Sequence, residues 1–244
     1  MRIGETSPST VAELWAKLEP QVEQAKSLEE AAQTLATLVH ACFQESVVLS
    51  RVFLTVPFFA LPPTDEQFVR KVAESAGVGS DLKRATPILS LLGTQGQEPD
   101  WNERHKSKGH LGIPLISSTF VDSVPMISRL LKDLGIPLSW VDSYDSEIVE
   151  KAMLDSSSLF FLENAASATD YRGRKIIAAQ DFVSTYGVKT VFGTGAAYAG
   201  GQIVVLIVFC GDFCSRAVAA RFLALSTLFA SKTKRLVGMA RIFS

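Results

Sequence analysis

Val188-Lys-Thr-Val-Phe192, then Gly193-Thr-Gly195-Ala-Ala-Tyr198-Ala-Gly-Gly201, then Gln202-Ile-Val-Val-Leu-Ile-Val-Phe209 is the stretch that decides the fold. Two β-branched, apolar runs bounded by glycines read as paired strands, so the spacing predicts an antiparallel hairpin of Val188–Phe192 and Gln202–Phe209 joined by a glycine turn. Ile203 to Phe209 shows no polar alternation. Both of its faces must therefore be covered, which places it inside a sheet with a layer on each side. It is too short to cross a membrane. From Cys214 onward one long helix is expected, with Val218, Phe222, Leu225, Phe229 and Leu236 on a single stripe. Arg216, Arg221, Lys234 and Arg235 fall away from its centre.

Upstream, the pattern is helical before it is extended. Thr10-Val-Ala-Glu13 has the form of a capping box, and Val11, Leu14, Trp15, Leu18 and Val22 follow at helical spacing, with Pro20 as a kink or restart. Ser27-Leu-Glu-Glu30 opens a second helix on which Ala31, Leu35, Leu38 and Cys42 form a seam. Val47–Val56 reads as a strand, ended by Pro62 and Pro63, and Thr64 or Asp65 caps a helix reaching Ala76. Pro87–Leu92 and Ile113–Ile116 read as short strands. Gly93–Gly112 between them, polar except for Trp101, reads as a long loop. Val124–Leu134 and Ser146–Met153 are expected helices, and Leu159–Leu162 and Lys175–Ile177 expected strands flanking the turn-rich Thr169–Arg174.

The 244 residues are 47% hydrophobic and 20% charged, enough for one large domain with a buried core. A net charge of −1 leaves no general field to gather nucleic acid or an anionic membrane surface, so neither is an expected partner. Three cysteines, an odd number, and a polar start at Met-Arg-Ile-Gly-Glu-Thr argue for a reducing, cytoplasmic setting.

The order of helix, strand, helix, interrupted middle, two strands, glycine turn, strand and terminal helix resembles a GAF domain, a sensory relative of the PAS fold. Thr185-Tyr-Gly-Val-Lys-Thr-Val-Phe-Gly193 followed by Gly200-Gly-Gln-Ile-Val-Val-Leu-Ile-Val-Phe209 is similar to the final GAF hairpin, and Ser27–Phe43 to the GAF opening helix. The resemblance covers about residues 27 to 237 and implies an α+β fold: a central antiparallel sheet with N- and C-terminal helices packed on one face. Residues 1–26 then form a helical extension and 27–244 a single domain, enlarged near 82–144 where such domains bind ligands. It further implies a regulatory, ligand-sensing role without catalysis, signalling through a separate protein.

Chemical motifs are few. Gly193-x-Gly195 precedes a strand, whereas a phosphate-binding glycine loop needs a helix there. His105 and His110, near Asp100 and Glu103, are the set from which an enzyme or a metal site would be built, and solvated loop residues are the simpler reading. No Gly-x-Ser-x-Gly elbow supports a triad of Ser107, His110 and Asp100. Cys214 at a helix start would have a lowered pKa, Cys210 and Cys214 are read as structural, and Arg172 and Arg174 either face solvent or hold an anion. No metal or catalytic residue is assigned.

Two larger expectations remain. Val11, Trp15, Leu18 and Val22 need a cover, which predicts a homodimer through the N-terminal helix and the Cys214–Val237 helix, or else burial within one chain. The Gly93–Gly112 loop is expected to close as a lid over a small-molecule pocket, with Trp101 and His110 at its mouth and Phe160 and Tyr198 in its floor. A purely structural dimerisation module is the remaining alternative.

Overall fold

The computed structural model describes residues 1–107, 109–154 and 159–244, without the side chains of Met153 and Leu154. Helix α1 (Pro8–Gln24) starts a turn earlier than expected: Ser7 is its cap, in a reciprocal pair with Thr10, and Pro8 takes the first position, where its missing N–H costs nothing. Pro20 sits inside the helix on its exposed side and does not interrupt it. Helix α2 (Leu28–Cys42) begins at Ser27, whose hydroxyl accepts from the Glu30 N–H. Its first free N–H groups, those of Leu28 and Glu29, donate to Arg241 and Ile242 carbonyls of the C-terminal tail.

The chain then runs β1 (Val47–Pro57), α3 (Pro63–Ser75), β2 (Pro87–Gly96), β3 (Gly112–Pro114), α4 (Ser118–Asp122), α5 (Pro125–Asp133), α6 (Trp140–Ser143) and α7 (Ser146–Leu154). It continues with β4 (Leu159–Leu162), α8 (Gln180–Thr185), β5 (Thr190–Ala197), β6 (Ile203–Cys210), α9 (Arg216–Ala220) and α10 (Leu223–Gly238). The strands form one antiparallel sheet in the order β3-β2-β1-β6-β5-β4. The apolar run became β6, an inner strand between β1 and β5 with every residue buried.

Alternation along the strands feeds two cores. Val52, Leu54, Val204, Leu206 and Val208 point to the layer of α1, α2 and α10, where Leu14, Leu18, Leu35, Val39, Phe229 and Leu236 meet them. Phe53, Leu89, Leu91, Val205 and Ile207 point to the connecting segments, which supply Val121, Leu130, Leu134, Trp140 and Val183. The α1 stripe is covered inside the chain: Leu18 and Val22 are fully buried, and Val11 and Trp15 nearly so. The need for a second copy to cover that stripe is therefore removed.

Three local departures have physical causes. Gly193 and Gly195 lie within β5, not in a turn; a Cβ there would meet Phe160 and Leu134 at 3.4 and 3.3 Å, so the glycines make room for close packing. The turn is confined to Tyr198–Gly201, with Gly200 and Gly201 at φ +100° and +82°. Strand β2 runs on to Gly96 because Gln33 of α2 bonds both the N–H and the carbonyl of Thr94. The terminal helix is split into α9 and α10, and Phe222 at the break lies between Phe43 and Phe192 at centroid distances of 5.6 and 5.1 Å. Around Lys175 only an isolated bridge to Thr169 forms in place of the expected strand. Among the described residues no helix is long and apolar enough to cross a membrane.

Candidate functional site

The face of the sheet opposite α1, α2 and α10 carries a cavity of about 760 Å³. Its floor is Leu49 and Arg51 of β1 with Phe209 of β6, and its walls are Phe182 and Tyr186 at α8, Met126 of α5, Ile177, and the segment after β2. That segment is not an irregular span from Gly93 but begins after Gly96, and two single helical turns, Pro99–Asn102 and Arg104–Lys106, give it shape.

Local bonds hold the segment against the sheet. The Trp101 carbonyl accepts from Thr94 Oγ1 at 2.9 Å, Asn102 Oδ1 accepts from the Gly96 N–H at 2.9 Å, and Gln97 N–H donates to the Val48 carbonyl. Trp101 then packs edge-on against Tyr186 and Phe182, centroids 4.5 and 5.5 Å apart, and Phe182 meets Phe209 at 5.5 Å. Further along, the buried Arg104 donates twice at 2.8 Å to the fully buried Asp65 of α3, and its Nε lies 2.9 Å from Glu29 of α2. Burial pushes the Asp65 carboxyl up, while Arg104 and His105 pull it back.

Arg51, Ser107 and His110 are among the polar residues of the lining. Arg51 sits mid-strand opposite Thr94 of β2 and Ile207 of β6. Its Nε is buried without a hydrogen-bond partner, and among the described residues no carboxylate pairs with it. Burial lowers its pKa to about 10, so it is charged at neutral pH. Ser107 Oγ is likewise buried without a partner. His110 is an exposed residue of the cavity lining, and desolvation by the surrounding protein, with the Arg51 charge, holds its pKa down to about 4. The imidazole is neutral at pH 7.

With the opening helix α2 directly before β1, and the β5–β6 hairpin leading into α9 and α10, the sequence order resolves into a six-stranded sheet with both terminal helical layers on one face. The fold is GAF-like. No protein-family model matches the chain, and no curated protein does. Similar solved structures include the GAF domain from Acinetobacter phosphoenolpyruvate-protein phosphotransferase (11% identity, TM-score 0.47, covering 95% of this chain and 97% of that one). Others are the chromophore-binding domain of an unusual bacteriophytochrome from R. palustris (8%, 0.46, 95% and 62%) and the phycoerythrobilin-bound GAF domain from a cyanobacterial phytochrome (9%, 0.42, 97% and 97%).

In this GAF-like domain Trp101 and His110 line one cavity. Phe160 and Tyr198 do not. Phe160 is fully buried in the core beneath the connecting segments, beside Gly193. Tyr198 points to the opposite layer, where its hydroxyl meets Thr233 Oγ1 of α10 at 2.7 Å; β5 runs through the expected turn and fixes which face Tyr198 takes. His105 leaves the cavity for Asp65, Nε2 to Oδ1 3.4 Å, so the two loop histidines serve different surroundings. Among the described residues no cluster of three metal-ligating side chains occurs. Burial raises the Cys214 pKa to about 11, against the lowered value expected at a helix start; Ser215, not Cys214, is the cap of α9. Arg172 and Arg174 are engaged by Asp122 and Asp170.

The sequence reading missed Arg51, Phe182, Tyr186 and Phe209. A signal for Arg51 was present: it is the only charge in the apolar run Val47–Val56.

Proposed function

We propose that the chain is a GAF-like sensory domain that binds a small molecule in the cavity between β1, α8 and residues 97–110 and passes that state to a separate signalling protein. The observation that carries this reading is the cavity itself. About 760 Å³ is the size of a small-ligand site, its lining is largely aromatic and aliphatic, and a few polar groups converge on it. A structural module would fill such space with side chains. The wall most able to respond is the segment from Gln97 to Ser107. It is tied to α3 and α2 through Arg104, so its position is coupled to the helical layer on the other side of the sheet.

A reducing setting suits the three cysteines, all of which are free. The route to the signalling protein is read as running through α2, which carries Glu29 and Gln33, the residues that touch the cavity's outer segment and β2. A homodimer, if it forms, uses surfaces other than the covered α1 stripe.

The test is a thermal-shift screen of the full chain against nucleotides, haem, metals and small acids, with native mass spectrometry of the protein as purified. The reading expects at least one class to raise the melting temperature, with the rise lost in Trp101→Ala. No response to any class in the unaltered protein would replace the sensory reading with the structural one.

A further inference from the structure

Arg51 is unexplained by packing. It stands on an inner strand, flanked on its own face by Leu49 and Phe53. Arg51 is half-buried, its Nε is shut from solvent without an acceptor, and no ion pair reaches the guanidinium among the described residues. Arg51 is thus a cation in the cavity lining without an ion-pair partner among the described residues, and such a guanidinium is the complement of an anionic group.

The charge count limits that group. Lys106 at the rim is held by Asp100 and Glu103 at 3.4 and 3.3 Å, His110 is neutral, and Glu98 adds a negative charge to the lining. Among the described residues Arg51 is the one free cation of the lining, and with acid nearby it suits a single negative charge. The rest of the lining, Trp101, Phe182, Phe209 and Ile177 among it, suits an apolar body. We propose that the cavity takes a small aromatic or aliphatic monocarboxylate, its carboxylate held by Arg51 and its body against Trp101, Phe182 and Phe209. The proposal rests on the ligand-sensing reading and names the ligand class.

The experiment is calorimetric titration of the full chain with matched pairs: indole-3-acetate, phenylacetate and hexanoate, each against its primary amide, with inorganic phosphate as a further arm. Unaltered protein should bind at least one acid at least tenfold more tightly than its amide. Arg51→Met should abolish that preference while leaving the melting temperature of the ligand-free protein equal or higher, because a half-buried charge without an ion pair has been removed. A residue serving only structure would lower it. Equal affinity for acid and amide overturns the anion site and leaves the ligand-sensing reading standing. Phosphate binding more tightly than every acid also overturns the carboxylate assignment. No binding by acids, amides or phosphate overturns the proposal, while the sensory reading falls only if the wider thermal-shift screen is also negative. Were Arg51→Met not to fold, the acid-against-amide comparison on unaltered protein still decides.

Discussion

Arg104 donates through both terminal nitrogens, each at 2.8 Å, to a single oxygen of Asp65, and both side chains are buried. This contact ties the segment that walls the cavity to α3, across a sequence separation of 39 residues. Phe243 of the C-terminal tail covers the guanidinium with its ring centroid at 5.3 Å, so the tail, α2 and α3 meet where the segment is anchored.

Removing Arg104 leaves the buried Asp65 with only the His105 ring, 3.4 Å away, beside it. Arg104→Ala should lower stability by about 3–5 kcal/mol in urea unfolding, and Asp65→Asn combined with Arg104→Met should recover much of that loss. A loss below about 1 kcal/mol for the single change would show that the segment does not depend on this anchor.

Gly93 is a point where α2 lies directly on β2: a Cβ there would stand 2.3 Å from the Ala32 carbonyl oxygen and 2.6 Å from the Gln33 nitrogen. These are backbone atoms that no rotamer can move. Gly93→Ala should cost about 3 kcal/mol, while Gly173→Ala, where nothing lies within 4 Å but φ is +77°, should cost only about 1 kcal/mol. Chemical denaturation of the two variants checks the order; the reverse order would place α2 wrongly on the sheet.

Legibility followed the number of meanings each residue could carry. Ile203–Phe209 had one meaning, a strand covered on both faces, and it is one. The helical caps at Ser27 and the stop at Gly135 were readable because their chemistry is local. Gly193 and Gly195 carried two meanings, turn or close packing, and the choice depended on Phe160 and Leu134, distant in sequence. That error sent Tyr198 to the wrong face. At the site, Trp101 was found because an aromatic in a polar loop needs somewhere to go. Arg51 was passed over because its strand was read for hydropathy alone, and Arg104 because its partners lie on α2 and α3.

The pH dependence has a defined sign. His110 has a folded pKa of about 4, against an ordinary 6.5, so the unfolded chain binds its proton more readily. Its contribution is constant above about pH 6.5 and is lost as pH falls from there toward 4. His110→Gln should flatten the melting-temperature profile in that window. An unchanged profile would mean that the ring titrates freely.

A bound carboxylate beside Arg51 offsets the charge that helps hold His110 neutral, so the imidazole pKa should rise on binding. Affinity for the ionised acid should then strengthen as pH falls toward the free protein's His110 value of about 4. Proton uptake measured in buffers of different ionisation enthalpy reads this directly, and proton release on binding would contradict it.

The most direct test labels the protein with 5-fluorotryptophan and follows Trp15, Trp101 and Trp140 by fluorine NMR, with Trp101→Phe for assignment, during titration with indole-3-acetate, phenylacetate and hexanoate. Trp101 lies in the cavity wall and Trp15 in the helical layer on the other face. The account predicts a saturable shift of the Trp101 resonance with at least one acid, and a Trp15 resonance that stays in place. A Trp101 resonance unmoved by every acid at millimolar concentration, or all three resonances moving alike, would contradict it.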